Sequence, residues 1–265
     1  MPEGELKLSF NNKYLQCLIY MPIPDRKTGF TLIELSIVLV IIGLVVGGVM
    51  VGRDLIKQAA IKKNYSQLQQ LELAYRTFKL KYGCVAGDCK DATDLFGNYI
   101  PVAGSCTMPN GNGNGNGDDL INDGGTGNWY CESRQTVYSL VAANMLPATS
   151  VTSCGSTYFK GINDKCAYFS FDDVYLELTP KRNKNTVTFA DFSAPWAKFP
   201  ALSPNEARAI DEKIDDGISN KGRFSGLDAA DISAGTGAIV VGSCVTSGAY
   251  NNNDVLSCRA VYYLD

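Results

Sequence analysis

Residues 27–53 read KTGFTLIELSIVLVIIGLVVGGVMVGR, and the organisation of the whole chain follows from this stretch. Residues 35–51 are 17 consecutive uncharged, mostly aliphatic side chains, and extending back to Phe30 gives 22. As a helix rising ~1.5 Å per residue, that is enough to cross a hydrocarbon layer of ~30 Å. Arg53 and Asp54 close the run, and one acid, Glu34, lies near its start. A charge inside a bilayer costs about 2.5 kcal/mol or more, so Glu34 is expected to have a partner and a function. A secretory signal has an apolar region of only ~7–15 residues with small residues at a cleavage site beyond it. Here the run is longer and continues into a helical pattern, so it reads as a retained span, against the alternative of an ordinary signal anchor with an accidental acid.

Beyond the span, Leu55, Ala59, Tyr65, Leu68, Leu71, Tyr75, Phe78 and Tyr82 recur in steps of three, four or their multiples. Lys62, Lys63, Gln67, Gln70, Lys79 and Lys81 fall largely between them, so the helix carries one apolar, aromatic stripe that needs a partner surface. Gly83 is a helix stop, which predicts one long helix over residues 30–82. Gly43, Gly47, Gly48 and Gly52 either permit close helix approach or are simply tolerated in lipid.

The residues Gly29-Phe30-Thr31-Leu32-Ile33-Glu34, followed by the aliphatic run, resemble the processing site of type IV pilins and type II secretion pseudopilins. The resemblance covers residues 26–83 and is thin over the remainder. It implies that a membrane prepilin peptidase cuts between Gly29 and Phe30 and methylates the new amino terminus. Glu34 then becomes the fifth residue of the mature chain. Its carboxylate would neutralise a neighbouring subunit's Phe30 ammonium in low dielectric and set axial register in a filament. Arg26 and Lys27 would hold the leader on the cytoplasmic side. A leader of 29 residues is long for this family, and a start at Met21 would leave a basic leader of nine; Cys17 is absent from the mature chain in either case.

The domains expected are a leader at 1–29, a transmembrane or filament-core helix at 30–52, the amphipathic half of the spine helix at 53–83, and an extracytoplasmic head at 84–265. The resemblance implies an α+β fold, pilin-like, with the long spine helix packed on an antiparallel sheet head and loops braced by disulfides. It also implies a single pass of the bacterial inner membrane, with the amino terminus cytoplasmic and the head in the periplasm, then a filament after assembly. The implied partners are other pilin or pseudopilin subunits, the prepilin peptidase, an inner-membrane assembly platform driven by an ATPase, and the lipid bilayer before assembly.

Of nine cysteines, loss of the leader leaves eight: Cys84, Cys89, Cys106, Cys131, Cys154, Cys166, Cys244 and Cys258. An even number outside the cytoplasm points to disulfides. Nearest-neighbour pairs, 84 with 89, 106 with 131, 154 with 166 and 244 with 258, close the shortest loops, although sequence alone fixes no pairing. The chain has no histidine and no pair of Cys-x-x-Cys motifs, which disfavours zinc. The mature 236 residues carry 20 basic and 24 acidic side chains, and this balance argues against a nucleic-acid partner. The basic run Lys181-Arg182-Asn183-Lys184 is most simply a solvated turn.

Within the head, a helix is expected from Cys131 through Val137, Leu140, Val141, Asn144, Met145 and Leu146, ended by Pro147. Alternating strands are expected at 166–179, with a turn at Asp172-Asp173, and at 186–189, 238–245 and 257–264. They imply an antiparallel sheet with one face covered by residues 55–82. Ser203-Pro204-Asn205-Glu206 is a capping box opening a helix through Ala207, Ile210 and Ile214 to Gly217. At that helix end Asp211, Asp215 and Asp216 are candidate calcium ligands, with a solvated acidic face as the alternative. Such acids oppose the helix dipole unless Lys213, Lys221, Arg223 or a cation offsets them. Asp118, Asp119 and Asp123 are further candidates. There Asn112, Asn114, Asn116, Gly117 and Asp123 fall near the spacing of a hand-type loop, but Asn stands first, Asp last, and no helices flank it.

No catalytic constellation emerges. Histidine is lacking, and no Ser, Cys or Lys lies in a nucleophile elbow, phosphate loop or metal motif, so the chain reads as no enzyme and without a cofactor apart from structural calcium. Trp129 and Trp196 read as packing residues. The reading is a structural pilus or pseudopilus subunit, and the bulk of its head favours a minor or tip role. The alternatives are a membrane-anchored extracytoplasmic binding module and a DNA-uptake or adhesive pilin.

Overall fold

The computed structural model describes residues 29–97, 115–121, 130–149, 159–171, 182–190, 199–230 and 239–264. Residues 1–28 of the expected leader, with Arg26, Lys27 and Cys17, and also Cys106, Cys154, Asp123, the Asp172-Asp173 turn, the 172–179 strand and both tryptophans lie outside these residues. By internal contacts the chain divides into a unit ending at Arg53 and a unit beginning at Asp54. One helix, α1 (Leu32–Tyr82), runs through that boundary.

In the first unit every large hydrophobic side chain from Phe30 to Val51 is exposed. That is the pattern of a surface meant for an apolar surrounding, and by length and composition α1 is able to cross a membrane.

The second unit is built on the last turns of α1. Leu68, Leu71, Ala74, Tyr75 and Phe78 are buried and recur every three or four residues, as an amphipathic helix requires. The stripe expected from Leu55 starts only at Leu68, because Leu55 is exposed and Ala59 faces water as well. Asn64 is buried instead, with its amide donating to Asn163 at 2.8 Å. Gly83, at φ +72°, ends the helix as anticipated.

After the short helix α2 (Ala92–Phe96), α3 covers Tyr130–Ala142. It stops five residues before Pro147, where termination was expected. Asn144 turns left-handed at φ +58°, the Met145 amide donates to Leu140 O at 2.9 Å, and the Asn144 amide donates to Val141 O at 2.9 Å. These bonds make a Schellman motif with Asn in the position that needs positive φ.

The sheet is five-stranded and antiparallel throughout, in the order β1 (Phe159–Lys160), β2 (Cys166–Phe171), β3 (Asn185–Phe189), β7 (Cys258–Tyr263), β4 (Phe224–Asp228). The carboxyl-terminal strand β7 thus lies between β3 and β4. Its alternate residues divide between two clusters: Ala260 and Tyr262 join the core that contains the α1 stripe, whereas Val261 and Tyr263 pack together on the opposite face. All residues of β3 and β7 are buried, so the second face is covered too, and the expected one-sided sheet is corrected.

Two strand expectations change. Of the expected strand 238–245, residues 239–244 form a loop with an isolated bridge at Ile239, because Asp228 accepts amides from Gly242, Cys244 and Val245 at 2.7, 2.8 and 3.0 Å. Only the small hairpin β5 (Val245–Thr246) and β6 (Ala249–Tyr250) follows. In its place β4 joins the sheet, unforeseen in FSGLD. Gly226 is required there, since a Cβ at this residue would lie 2.3 Å from the Tyr250 ring.

The disulfides Cys84–Cys89 and Cys244–Cys258 are formed, as nearest-neighbour pairing anticipates. Cys131 and Cys166 are disulfide-bonded as well.

Two polar anchors fix α1 to the sheet, and a third holds the loop that follows the helix. Glu72 pairs with Arg76 at 2.8 Å and Arg223 at 2.6 Å and accepts from the Tyr262 hydroxyl. Burial pushes the Glu72 carboxyl up, but these partners outweigh it and hold it below the usual range. Asn185 donates to Tyr75 Oη at 2.9 Å and accepts from the Ile121 amide at 2.8 Å. Asp88, buried behind the first disulfide, accepts from the Gly117 and Asp119 amides at 2.6 and 2.7 Å.

Replacing Phe78 by Ala is expected to lower stability by about 3–5 kcal/mol through the cavity left in this core. Leu80→Ala, on the exposed side of the same helix, should cost no more than about 0.5 kcal/mol. Denaturant unfolding of the detergent-solubilised protein, followed by near-ultraviolet circular dichroism, measures both.

Candidate functional site

The amino-terminal end of α1 is organised by two side chains. Gly29 and Phe30 precede the helix outside any regular element, and Phe30 is 88% exposed. Thr31 is the cap: its Oγ1 accepts from the Glu34 amide at 3.3 Å. In return Glu34 Oε2 accepts from the Thr31 amide at 2.8 Å and from the Thr31 hydroxyl at 2.8 Å. This is a capping box, which satisfies first-turn amides and places a carboxylate at the end of the helix where the backbone dipole favours it. Read by sequence alone, Glu34 was an acid awaiting an external partner. The signal for its local one was in plain view, because Thr31-Leu-Ile-Glu34 has the T-x-x-E spacing, directly before an apolar run.

Around this geometry, residues 24–50 match the family described as the prokaryotic N-terminal methylation motif. The chain carries the signature of type IV pilins and pseudopilins. The methylation motif takes in Gly29, Phe30, the capping box and most of the apolar run, and ends well before the head. It indicates a structural subunit that is processed by prepilin peptidase and assembles with other pilin subunits. Together with the apolar helix it fits a membrane-anchored, single-pass protein. The pilin-like α+β fold agrees: a long amino-terminal helix, then an antiparallel sheet and disulfides. No curated protein and no solved structure matches the chain.

The second group of predicted site residues lies in the head. Ser203 and Glu206 form the anticipated capping box of α4 (Pro204–Ile214), with Pro204 at its first turn. Asp211 lies on the buried face of this helix, fully enclosed, and its Oδ2 accepts from the Tyr250 hydroxyl at 2.8 Å. Asp215 caps the carboxyl-terminal end. Its Oδ1 accepts from the Asp216 amide at 2.7 Å, and its Oδ2 accepts from Phe224 at 3.2 Å and from the Arg223 amide. Asp216 Oδ1 accepts from the Ile218 amide at 2.9 Å. One carboxylate oxygen from each of Asp211, Asp215 and Asp216 lies within 4.8 Å of the others, the sole such acidic group among the described residues. Gly222, at φ +64°, brings its backbone against Asp215, where a Cβ would lie 2.0 Å from the carboxylate.

The electrostatics of the group are uneven. Burial, followed by the neighbouring Asp215, pushes the Asp211 carboxyl up to about 8. Burial acts the same way on Asp215, but hydrogen bonds from Asp211 and from the backbone amides overcome it and hold Asp215 low. Burial, with the Asp211 charge, also raises the Tyr250 hydroxyl far above its ordinary value.

Asp118 and Asp119 stand apart from this group. Asp118 Oδ1 accepts from the Leu120 amide at 2.9 Å and its Oδ2 from the Asn116 side chain at 3.0 Å, while Asp119 lies 3.5 Å from the Lys79 ammonium. Arg182, expected in a solvated turn, instead donates to Asn220 O at 2.9 Å and to Gly222 O, and stacks 4.3 Å from the Tyr263 ring centroid. It ties the turn before β3 to the loop beside the acidic group.

Thr31→Ala should weaken the start of α1 by about 1 kcal/mol, whereas Thr31→Ser should keep the cap. Hydrogen exchange of the residue 32–35 amides in micelles reads this directly, with faster exchange expected only in the alanine variant.

Proposed function

We propose that the protein is a minor or tip subunit of a type IV pilus or a type II secretion pseudopilus. The observation that carries this reading is the methylation motif set on the first turns of a helix that continues into a sheet-bearing head. Prepilin peptidase would cut between Gly29 and Phe30, a stretch outside regular structure with an exposed phenylalanine. Methylation of the new amino terminus would leave a cationic ammonium one residue ahead of the helix cap. Glu34 of one subunit would then offset the Phe30 ammonium of the next, in surroundings dry enough for a unit charge pair to matter.

Before assembly, the exposed aliphatic run would lie in the inner membrane with the head in the periplasm, where Cys84–Cys89 and Cys244–Cys258 stay oxidised. In the filament, other spine helices would replace the lipid. The absence of histidine and of any nucleophile motif supports a mechanical role over a catalytic one. The bulk of a head at residues 84–265 suits an end position better than the repeated body of a thin fibre.

Intact-mass and peptide mass spectrometry of the purified protein should find a chain beginning at N-methylated Phe30. Glu34→Gln separates the two roles of this residue, since glutamine retains the capping box and removes the charge. The variant is expected to be processed and membrane-inserted but depleted from the sheared filament fraction. An unprocessed amino terminus, or full incorporation of the variant, would sink the proposal.

A further inference from the structure

We propose that, before assembly, the loop of residues 251–257 rests on the phospholipid surface beside the span, with Val255 and Leu256 in its interfacial layer. The inference rests on the membrane-anchored reading of α1. Ion pairs give the order in which the head meets α1: Lys57 with Asp254 at 2.8 Å, Lys63 with Asp164 at 3.6 Å, Glu72 with Arg223 at 2.6 Å and Lys79 with Asp119 at 3.5 Å. Asp254 therefore belongs to the part of the head that α1 reaches first after the apolar run, and Val255 and Leu256 follow it directly.

That position is close to the lipid. Arg53 closes the apolar run, and from Arg53 to Lys57 the helix rises ~6 Å. Each interfacial layer outside the hydrocarbon is ~5–8 Å thick, so Lys57 stands where headgroups meet water. Exposed apolar side chains flank this ion pair. Leu55 and Ile56, just before Lys57, are 65% and 72% exposed, and Val255 and Leu256, just after Asp254, are 69% and 48% exposed. A second loop is tied to the first, since Ser257 Oγ donates to Ser243 O at 2.9 Å beside the Cys244–Cys258 disulfide, and it exposes Val240 and Val241. Single exposed aliphatic residues are ordinary, whereas several drawn to one end of a head mark a contact surface.

The loop is built to meet lipid. Its one acid, Asp254, is neutralised by Lys57 and also accepts from the Asn205 side chain at 3.1 Å, so no unpaired negative charge opposes approach to anionic headgroups. The Asn205 amide donates to Asn253 O at 3.3 Å, and Asn253 Oδ1 accepts from the Val255 amide at 3.1 Å. The loop's polar groups are thus engaged by the head and by one another, while its aliphatic pair is left outside. Polar and aliphatic groups divided in this way suit the boundary between headgroups and acyl chains. Leu55 and Ile56 continue the exposed run of the span in sequence, and this continuity makes the bilayer, and not a second copy of the chain, the occupant.

The test places one added tryptophan at a time in the full chain, reconstituted in vesicles of phosphatidylcholine and phosphatidylglycerol with or without brominated acyl chains. Emission of the unaltered protein, which has Trp129 and Trp196, is subtracted. Val255→Trp, at an exposed position that leaves the core intact, is expected to emit to the blue and to lose fluorescence in brominated vesicles, as Val45→Trp within the span does. Leu80→Trp, ~35 Å farther along α1 than Lys57, should be unquenched. Quenching at Val45→Trp without quenching at Val255→Trp would overturn this inference alone. Quenching at neither would overturn the membrane-anchored reading and this inference with it. A blue-shifted Val255→Trp that brominated lipid leaves unquenched, and that shifts further as protein is raised against lipid, would assign the loop to a second copy instead and overturn the lipid contact.

Discussion

The packing of Leu68, Leu71, Tyr75 and Phe78 of α1 onto the sheet is the interaction on which the described head depends. Neither surface is stable alone: an isolated amphipathic helix is marginal in water, and an antiparallel sheet needs at least one face covered. Burial of each large side chain contributes about 1.5–3 kcal/mol, so this one stripe supplies much of the driving force. Its direction is then fixed by polar contacts. Asn185 joins Tyr75 of the helix, Ile121 of the loop and strand β3 in one buried set of hydrogen bonds, and Glu72 draws Arg223 and Tyr262 to the same helix face.

Short covalent and hydrogen-bonded closures carry that order outward. The 84–89 disulfide sits directly after the helix stop, and Asp88 inside it gathers the 115–121 loop through two amides. Cys244–Cys258 joins the 242–245 loop to the start of the central strand, while Asp228 at the end of β4 holds the same loop by three amides. Tyr250 then links β4 to α4, accepting from the Gly226 amide at 3.0 Å and donating to Asp211. The acidic group is thus attached to the sheet through a buried tyrosine and is no free surface feature. That attachment explains why Asp211 is enclosed although it stands near a helix end.

Features governed by local rules were legible in the sequence. The apolar run, the i, i+3, i+4 stripe over Leu68–Phe78, the Ser203 capping box, the strand alternation around 166–171 and 258–263, and the 84–89 and 244–258 disulfides all depend on residues close together in the chain. What was misread depends on distant partners. The segment AIVV at 238–241 has strand composition, yet Asp228 recruits the amides that follow it into a loop. FSGLD lacks strand composition, yet Tyr250 needs the space that Gly226 leaves and β7 offers a free edge. Arg182 looked like a solvated cation because the carbonyls of Asn220 and Gly222, which it meets, are nearly 40 residues away. At the acidic group the sequence supplied the three carboxylates, while the enclosing Tyr250 became visible only in three dimensions.

In the proposed assembly, Glu34 would serve two requirements at different stages. All atoms of its capping box lie within residues 31–34, downstream of the proposed cut, so loss of the leader would leave the helix start intact. The box also restrains the carboxylate to one orientation toward the amino terminus, which lowers the side-chain entropy a later ion pair must spend, on the order of 1.5 kcal/mol for a free glutamate. The same hydrogen bonds compete with an incoming ammonium, however, because both draw on the carboxylate lone pairs. A carboxylate offers about four acceptor sites, and Oε2 uses two of them for Thr31. Capping and charge pairing are therefore compatible on one side chain only if the second oxygen faces the partner. Under the proposed pairing, that requirement would account for an acid at this position, since an amide would satisfy the cap and offer no charge.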